Sequence, residues 1–228
     1  MNLKDKIIVI TGGSKGFGKA LAKAFLDEGS TVIISSNNGI EIKAVAKEIG
    51  ALGICADVTK EEDLIHLADK TIKKFGVIDI WINNAGIWIK KALVEDLDMS
   101  LVRKMFEVNI VGTINGCRVA LRVMKEKGTG TIINIISDSA LKLPKISASV
   151  YSASKWAVNG FTKSAREENT DISILSIYPG AMKTEIFGEN KPNNYSDFME
   201  PEYVAERVID NLKKENPEEE LVIQRPTK

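Results

Sequence analysis

Near its N-terminus the chain reads Thr11-Gly12-Gly13-Ser14-Lys15-Gly16-Phe17-Gly18, directly after a β-branched run at Lys6–Ile10. An apolar stripe at helical spacing begins at Phe17 and continues to Phe25. A glycine-rich turn between a strand and a helix lets backbone N–H groups approach a phosphate, and the helix N-terminus adds positive potential. The alternative is a tight turn without a ligand. The order of strand, turn and helix favours a phosphate-binding turn.

The rest of the chain repeats this alternation of short apolar runs with helical patterns. Most runs are apolar throughout, which is typical of parallel strands that are buried on both faces. The order predicts an α/β fold: a Rossmann-type, doubly wound, seven-stranded parallel sheet with helices on both faces, in three layers. We expect one dinucleotide-binding domain, 1–228, with a substrate loop near 183–200. The predicted strands are Lys6–Ile10, Thr31–Ser35, Leu52–Ala56, Ile78–Ile82, Thr131–Ile136, Ile172–Ile177 and Glu220–Ile223.

The composition argues against several classes of protein. Lys and Arg together number 31, as do Asp and Glu, so the chain lacks the basic excess that nucleic-acid binding needs. It has no apolar run of the roughly 20 residues that span a bilayer, and no signal-peptide pattern. Cys55 and Cys117 lie in apolar surroundings, which predicts buried free thiols. No residues have metal-ligand spacing, and His66 lies in a charged helical pattern. We expect a cytoplasmic protein with no metal, membrane or nucleic-acid partner.

Four motifs occur along the chain in a fixed order. They are T-G-x-x-x-G-x-G at Thr11–Gly18, N-N-A-G at Asn83–Gly86, Y-x-x-x-K at Tyr151–Lys155 and P-G-x-x-x-T at Pro179–Thr184. In these motifs the chain resembles the short-chain dehydrogenase/reductase family over nearly its whole length. The resemblance implies an oxidoreductase with a nicotinamide cofactor. The cofactor-binding residues that it implies are Gly12, Ser14, Lys15, Gly16, Phe17, Gly18, Ser36, Asn37, Asp57, Val58, Asn84, Ala85, Gly86, Tyr151, Lys155, Pro179, Gly180 and Thr184.

The residues that follow the second strand indicate which nicotinamide cofactor is preferred. An acidic side chain there bonds the ribose 2′-hydroxyl and repels a 2′-phosphate. Ser36 stands at that position and Asn37 follows it, so neither side chain carries a charge. Lys15 resembles the basic residue of many NADP-preferring members, although a solvated surface lysine is the alternative. We predict a preference for NADP(H) over NAD(H), weaker than usual because Asn37 stands where the family has an Arg.

The pair Tyr151 and Lys155 is predicted to perform the proton transfer. Residues four apart on a helix are neighbours, which brings the ammonium of Lys155 near the phenol of Tyr151. A positive charge lowers the pKa of a tyrosine and makes it a general acid or base closer to neutral pH. Alone, such a pair is most often a solvated helix face. The resemblance implies that Tyr151 is the acid–base and that Lys155 also grips the nicotinamide ribose.

Two further residues complete the catalytic set that the resemblance implies. Gly130–Ser137 resembles the family's G-x-I-x-N-x-x-S, which makes Ser137 the residue that polarises the substrate oxygen. Its spacing from Tyr151 is 14 residues (151 − 137), one more than is usual, so Ser139 is the alternative. Asn109 matches the Asn that perturbs a helix and holds a water linked to the lysine, with a surface Asn as the alternative.

The segments that form family pockets suggest the substrate and the assembly. Their residues are mostly apolar and predict a small hydrophobic or aromatic carbonyl or alcohol, with core packing as the alternative. Lys142, Lys145 and Lys183 would attract an acid group. Gly112 and Gly116 would permit close helix contacts, and the resemblance implies a homodimer or homotetramer. The apolar residues are Ile87, Trp88, Leu141, Leu143, Ile146, Met182, Ile186 and Phe187.

Three other functions share parts of this pattern. A catalytically silent NADP-binding regulator would not need the complete set of catalytic residues. An NADP-linked dehydrogenase of small hydroxy acids differs only in its substrate and direction. A nucleotide-sugar epimerase or dehydratase shares the Tyr–Lys pair, but such enzymes usually have a larger C-terminal domain than the 44 residues (228 − 184) after Thr184.

Overall fold

The computed structural model describes residues 1–141 and 148–226. Seven strands form one parallel sheet in the order β3-β2-β1-β4-β5-β6-β7, which confirms the predicted Rossmann-type topology. The chain therefore begins in the middle of the sheet and builds outward in two directions. The strands are β1 (Ile7–Thr11), β2 (Thr31–Ser36), β3 (Leu52–Cys55), β4 (Ile80–Asn83), β5 (Thr131–Ile135), β6 (Ser173–Pro179) and β7 (Glu220–Ile223).

Helices connect the strands and begin and end at residues that favour helix termini. The helix after β3 has three acidic residues in its first turn, two lysines in its last turn, and Gly76 with φ +82° at its end. These charges interact favourably with the helix dipole, and the left-handed conformation suits glycine. The helices are α1 (Gly16–Asp27), α2 (Gly39–Ile49), α3 (Glu61–Phe75), α4 (Met99–Phe106), α5 (Gly112–Lys127), α6 (Ser149–Glu168) and α7 (Pro201–Lys213).

The core lies on both faces of the sheet. Alternate strand residues point to opposite faces. Ile8 and Ile10 pack in a cluster with α1, α2 and α7, whereas Ile7 and Val9 pack in a second cluster with residues of α3 and α5. Both faces are thus covered, as the continuous apolar strands require.

Two polar side chains meet in the middle of the sheet. Asn83 and Asn134 pair in register between β4 and β5, and Asn83 Nδ2 donates to Asn134 Oδ1 at 2.8 Å. The indole N–H of Trp81 donates to Asn83 Oδ1 at 2.8 Å, and Asn134 Nδ2 donates to Thr162 Oγ1 at 2.9 Å. The buried amides are therefore bonded to one another, which offsets the cost of removing them from water.

Gly116 faces β4 of this sheet, and Gly112 faces the loop after β3. A Cβ on Gly116 would lie 1.9 Å from Asn83 Oδ1, and a Cβ on Gly112 would lie 2.6 Å from Val58 Cγ2. The expectation that these two glycines make room for another helix is therefore wrong, because Val58 and Asn83 of the same chain take up the space beside them.

Both cysteines are free thiols, but only one of them is buried. Cys117 packs in the core, whereas Cys55 is exposed because it ends β3, the edge strand. The expectation of two buried thiols is wrong for Cys55. His66 lies on the exposed side of α3. Within 1–141 and 148–226, no helix is long and apolar enough to cross a membrane, and no group of His, Cys, Asp and Glu side chains could hold a metal ion.

Candidate active site

The glycine-rich turn is bonded to the segment that follows β4. Thr11 Oγ1 accepts hydrogen bonds from the backbone N–H groups of Asn84 and Ala85, both at 3.1 Å. Asn84 Nδ2 donates to the carbonyls of Thr11 and Gly12 at 2.9 and 3.0 Å. A Cβ on Gly12 would lie 2.8 Å from Ala85 Cα. Two of the predicted cofactor motifs are thus held together at the carboxyl ends of β1 and β4.

The turn itself has the shape and the free donors of an anion site. Gly12 and Gly16 have φ values of +64° and +51°, in the left-handed region that favours glycine. In the described part of the chain, no side chain caps α1 at Lys15, and the first turn of α1 has no acidic residue. The first N–H groups of α1 are therefore available to a phosphate, and a dinucleotide diphosphate fits this turn. Phe17 is buried in the core and offers a ligand only its backbone.

The segment after β6 reaches the same turn. Pro179 ends β6, and Gly180 N donates to Ile223 O at 2.9 Å. Thr184 is 9% exposed, and its Cβ lies 3.2 Å from the position of a Cβ on Gly16. The structure therefore brings Thr184 next to the phosphate-binding turn.

The residues after β2 and β3 lie at the carboxyl ends of the two strands on the other side of β1 from β4. Asn38 N donates to Ser36 Oγ at 3.2 Å, and Asn37 lines an open groove with the first turn of α2. The carboxylate of Asp57 accepts from the N–H and hydroxyl of Thr59 at 3.0 and 2.8 Å. The side chain of Asp57 thereby shapes its own loop.

Sequence reasoning missed Glu41 and Asn115, which contact this part of the site. Ser14 Oγ donates to Glu41 Oε2 at 3.1 Å, so a carboxylate of α2 lies against the phosphate-binding turn. The spacing Asn38-x-x-Glu41 is that of a capping box, which predicts a bond from Asn38 N to Glu41 instead. Asn115 Nδ2 donates to Val58 O at 3.0 Å and holds the backbone of that segment. Neither contact has a signal in the sequence, because each joins residues on separate elements.

Helix α6 carries Tyr151 and Lys155 on one face. Lys155 is 8% exposed, its Nζ donates to Ile135 O at 3.1 Å, and it lies 5.9 Å from the centre of the Tyr151 ring. Ser137 is buried at the end of β5, and its Oγ accepts from Ser139 N at 3.1 Å. The structure thus brings the Ser137 hydroxyl beside the Tyr151 phenol, whose pKa it lowers, whereas Ser139 contributes a backbone donor to Ser137.

Asn109 lies in a π-helical turn, Glu107–Val111, between α4 and α5. Its Oδ1 accepts from Ile87 N at 2.8 Å, and its Nδ2 donates to Ile87 O at 3.0 Å and to Ser154 Oγ at 3.2 Å. A Cβ on Gly86 would lie 3.4 Å from Asn109 Oδ1 and 4.0 Å from Lys155 Nζ. Asn109 is therefore a buried clamp on the segment after β4, next to Lys155.

Burial shifts the pKa values of the Tyr–Lys pair in opposite directions. Burial raises the pKa of Tyr151 to about 12, while the hydrogen bond with Ser137 lowers it and the charge of Asp138 raises it. Burial lowers the pKa of Lys155 to about 8. The lowered tyrosine pKa expected from the sequence is wrong for this structure, because removal from water outweighs the other influences on the phenol.

The predicted pocket residues are divided by the structure. Trp88 and Phe187 meet, with ring centres 5.3 Å apart, and Met182 forms a β-bridge with Met199. Lys183 Nζ is paired with Glu200 Oε1 at 2.5 Å. Leu141 and Ile186 are 40% and 36% exposed. The predicted residues Lys142, Leu143, Lys145 and Ile146 lie outside the described residues.

Comparison with known proteins places this arrangement among related sequences. A family model described as short chain dehydrogenase matches residues 6–194. An uncharacterized oxidoreductase of Staphylococcus saprophyticus is 33% identical over 217 residues, which cover 92% of each chain. An uncharacterized oxidoreductase of Staphylococcus aureus strain MRSA252 is 34% identical over 212 residues, which cover 91% of this chain and 90% of the relative.

Solved structures with the same fold cover nearly the whole chain. An alcohol dehydrogenase from the archaeon Thermococcus sibiricus, complexed with 5-hydroxy-NADP, has a TM-score of 0.88 at 28% identity and covers 99% of this chain and 100% of its own. A 3-ketoacyl-(acyl-carrier-protein) reductase from Brucella melitensis, complexed with NADH, has a TM-score of 0.89 at 28% identity and covers 97% of each chain.

Proposed function

This chain belongs to the short-chain dehydrogenase/reductase family of oxidoreductases, and from that premise we propose that it interconverts a carbonyl and an alcohol with NADP(H). The observation that carries the proposal is the convergence of Ser137, Tyr151 and Lys155 next to the segment after β4, which is bonded to the phosphate-binding turn. The whole chain acts as one cytoplasmic catalytic domain in this proposal. The free thiols of Cys55 and Cys117 are consistent with a reducing compartment.

Tyr151 is the general acid in the direction of carbonyl reduction. The bound reduced nicotinamide supplies the hydride. With a pKa of about 12, the phenol keeps its proton at neutral pH and donates it to the substrate oxygen. Ser137, whose hydroxyl lies beside the Tyr151 phenol, donates to the same oxygen as negative charge develops there.

Lys155 stabilises the phenolate that Tyr151 becomes. With a pKa of about 8, Lys155 is mainly protonated at pH 7, and its ammonium lies beside the phenol ring. A positive charge at this distance favours the phenolate. Asn109 is a positioning residue, because it holds the backbone of Ile87 and the hydroxyl of Ser154 and reaches Lys155 only through its neighbours.

A screen of ketones, aldehydes, hydroxy acids and sugars tests the proposal, with the absorbance of the reduced cofactor as the readout. Oxidation of NADPH by at least one carbonyl compound is the expected result. A preference for small hydroxy acids in the oxidative direction would favour an NADP-linked hydroxy-acid dehydrogenase instead. Binding of NADPH without turnover of any compound in the screen would support a catalytically silent regulator.

The preference for NADP(H) is supported by the end of β2 and by the phosphate-binding turn. Ser36 and Asn37 carry no charge that would repel a 2′-phosphate, and Lys15 is exposed in the turn. Glu41 acts in the opposite direction, since its carboxylate is bonded to Ser14 in the same turn. Of the two solved relatives described above, one was complexed with 5-hydroxy-NADP and the other with NADH.

Two substitutions should move the cofactor preference in opposite directions. We expect the protein to bind 2′,5′-ADP more tightly than 5′-AMP, with Ser36→Asp removing this difference. Glu41→Gln removes a negative charge near the turn and should tighten 2′,5′-ADP binding by about tenfold, and 5′-AMP binding by less because 5′-AMP carries one phosphate fewer. Titration calorimetry at fixed ionic strength measures both. Tighter binding of 5′-AMP by the unmodified protein would contradict the proposed preference.

A homodimer or homotetramer formed through α6 is also part of the proposal. Trp156 is 48% exposed, and a Cβ on Gly160 would meet no atom within 4 Å among the described residues. An open small residue beside an exposed indole favours close packing of a second helix. Light scattering at micromolar concentration should give a dimer or tetramer mass, and Trp156→Glu should give a monomer with an unchanged circular dichroism spectrum. A monomeric unmodified protein would refute the assembly.

A further inference from the structure

Four aromatic side chains from two separate segments form one group, which we call the aromatic cluster: Trp88, Phe187, Tyr195 and Phe198. The ring centres of Trp88 and Phe187 are 5.3 Å apart with planes at 66°, an edge-to-face contact. Phe187 lies 6.1 Å from Tyr195 and 5.8 Å from Phe198, whose own rings are 5.5 Å apart. The only contact in the cluster that joins the two segments is the one between Trp88 and Phe187, as far as the described residues show.

The aromatic cluster is attached to the proposed active site on both sides. Trp88 follows Ile87, whose backbone N–H and carbonyl are both held by Asn109. On the other side, the hydroxyl of Tyr195 donates to Thr184 O at 3.3 Å, and Thr184 lies against the phosphate-binding turn. The Trp88–Phe187 contact therefore bridges the segment after β4 and the segment after β6.

Trp88 also lines a cleft that ends at Tyr151. The other walls are mostly apolar, and the cleft measures about 10 Å³, which is room for about one water molecule. A carbonyl compound that enters this cleft must therefore displace part of its wall. The residues that line the cleft are Trp88, Ile89, Lys90, Ala92, Leu97, Ala148, Ser149, Val150 and Tyr151.

We propose that Trp88 selects aromatic carbonyl compounds, whose flat ring takes the place of Phe187 against the indole. The inference rests on the proposed function and specifies its substrate class. An aromatic ring can restore the edge-to-face contact that it displaces, whereas a saturated ring of the same size restores only the buried area. Of the lysines of this region that the structure describes, Lys183 is paired with Glu200 and Lys90 is exposed at the rim of the cleft.

The test compares two aldehydes of equal heavy-atom number, benzaldehyde and cyclohexanecarbaldehyde, with NADPH in excess. The measured quantity is kcat/KM for benzaldehyde divided by kcat/KM for cyclohexanecarbaldehyde. This ratio in each variant is compared with the ratio in the unmodified protein. Because each ratio is compared within the same pair of aldehydes, their different intrinsic reactivity cancels. We expect Trp88→Ala to lower the ratio about tenfold and Trp88→Phe to retain most of it. Trp156→Phe is the matched control and should leave the ratio unchanged.

A binding measurement keeps the inference separate from the proposed function. In the Trp156→Phe protein, the remaining indoles are those of Trp88 and of Trp81, and Trp81 is fully buried. Quenching of fluorescence by benzyl alcohol therefore reports on Trp88. Equal ratios in Trp88→Ala and the unmodified protein would overturn the inference and leave the proposed function intact. Absence of turnover for every carbonyl, with quenching retained, would instead overturn the proposed function.

Discussion

Tyr151→Phe should lower kcat for carbonyl reduction by about 10²- to 10⁴-fold, which is the range for loss of a positioned general acid. The phenol carries the transferred proton because its pKa of about 12 keeps it protonated. The substitution removes one oxygen atom and keeps the ring that lies beside Lys155. We therefore expect the Kd of NADPH, measured by fluorescence titration, to stay unchanged while stopped-flow or steady-state turnover falls.

The two serines near Tyr151 provide a matched pair for the same experiment. Ser137→Ala removes the hydroxyl beside the phenol and should lower kcat by about 10²- to 10³-fold. Ser139→Ala keeps the backbone N–H that bonds Ser137 Oγ and should retain most of the activity. An undiminished kcat in Tyr151→Phe, or a greater loss in Ser139→Ala than in Ser137→Ala, would be incompatible with the proposed roles.

Gly116→Ala should destabilise the protein by about 3–5 kcal/mol, a large effect for one methyl group. The new Cβ would lie 1.9 Å from Asn83 Oδ1 and 3.1 Å from Trp81 Nε1. To make room, α5 must move away from the sheet, or the hydrogen bonds between Trp81, Asn83 and Asn134 must break. Urea unfolding followed by circular dichroism measures the loss.

A double-mutant cycle checks the cause of this loss. Asn83→Ala removes the atom that the new methyl would meet, so Gly116→Ala should cost less in the Asn83→Ala protein than in the unmodified one. Helix propensity alone predicts that Gly116→Ala stabilises the protein, because Ala stabilises a helix interior by about 1 kcal/mol relative to Gly. Equal costs in both backgrounds would show that the clash is not the cause.

The fold and the place of the site could be predicted from sequence because their signals are local. Buried parallel strands read as continuous apolar runs, and each cofactor motif directly follows a strand. The glycines of the phosphate-binding turn were predicted to let the backbone approach a phosphate, and Gly12 also lets the backbone of Ala85 come close. Gly116 was misinterpreted, since a glycine in a helix does not reveal which neighbour needs the space.

The features that could not be predicted depend on burial and on contacts between distant elements. The raised pKa of Tyr151 follows from the removal of its phenol from water, which the spacing to Lys155 does not determine. The bond from Ser14 to Glu41 joins the turn after β1 to α2. Trp88 and Phe187 were both expected near the pocket, but their mutual contact needs the paths of two loops.

The strand order has a consequence for how the activity can diversify. Ser36 and Glu41 lie in the wing formed by β2, β3 and α2, whereas Trp88 and Phe187 belong to the wing that begins at β4. Substitutions that share no partners add their free energies. We therefore expect substitutions in the first wing to change the cofactor preference without changing the substrate preference. A protein engineer can optimise the two wings in separate libraries and then combine the best variants.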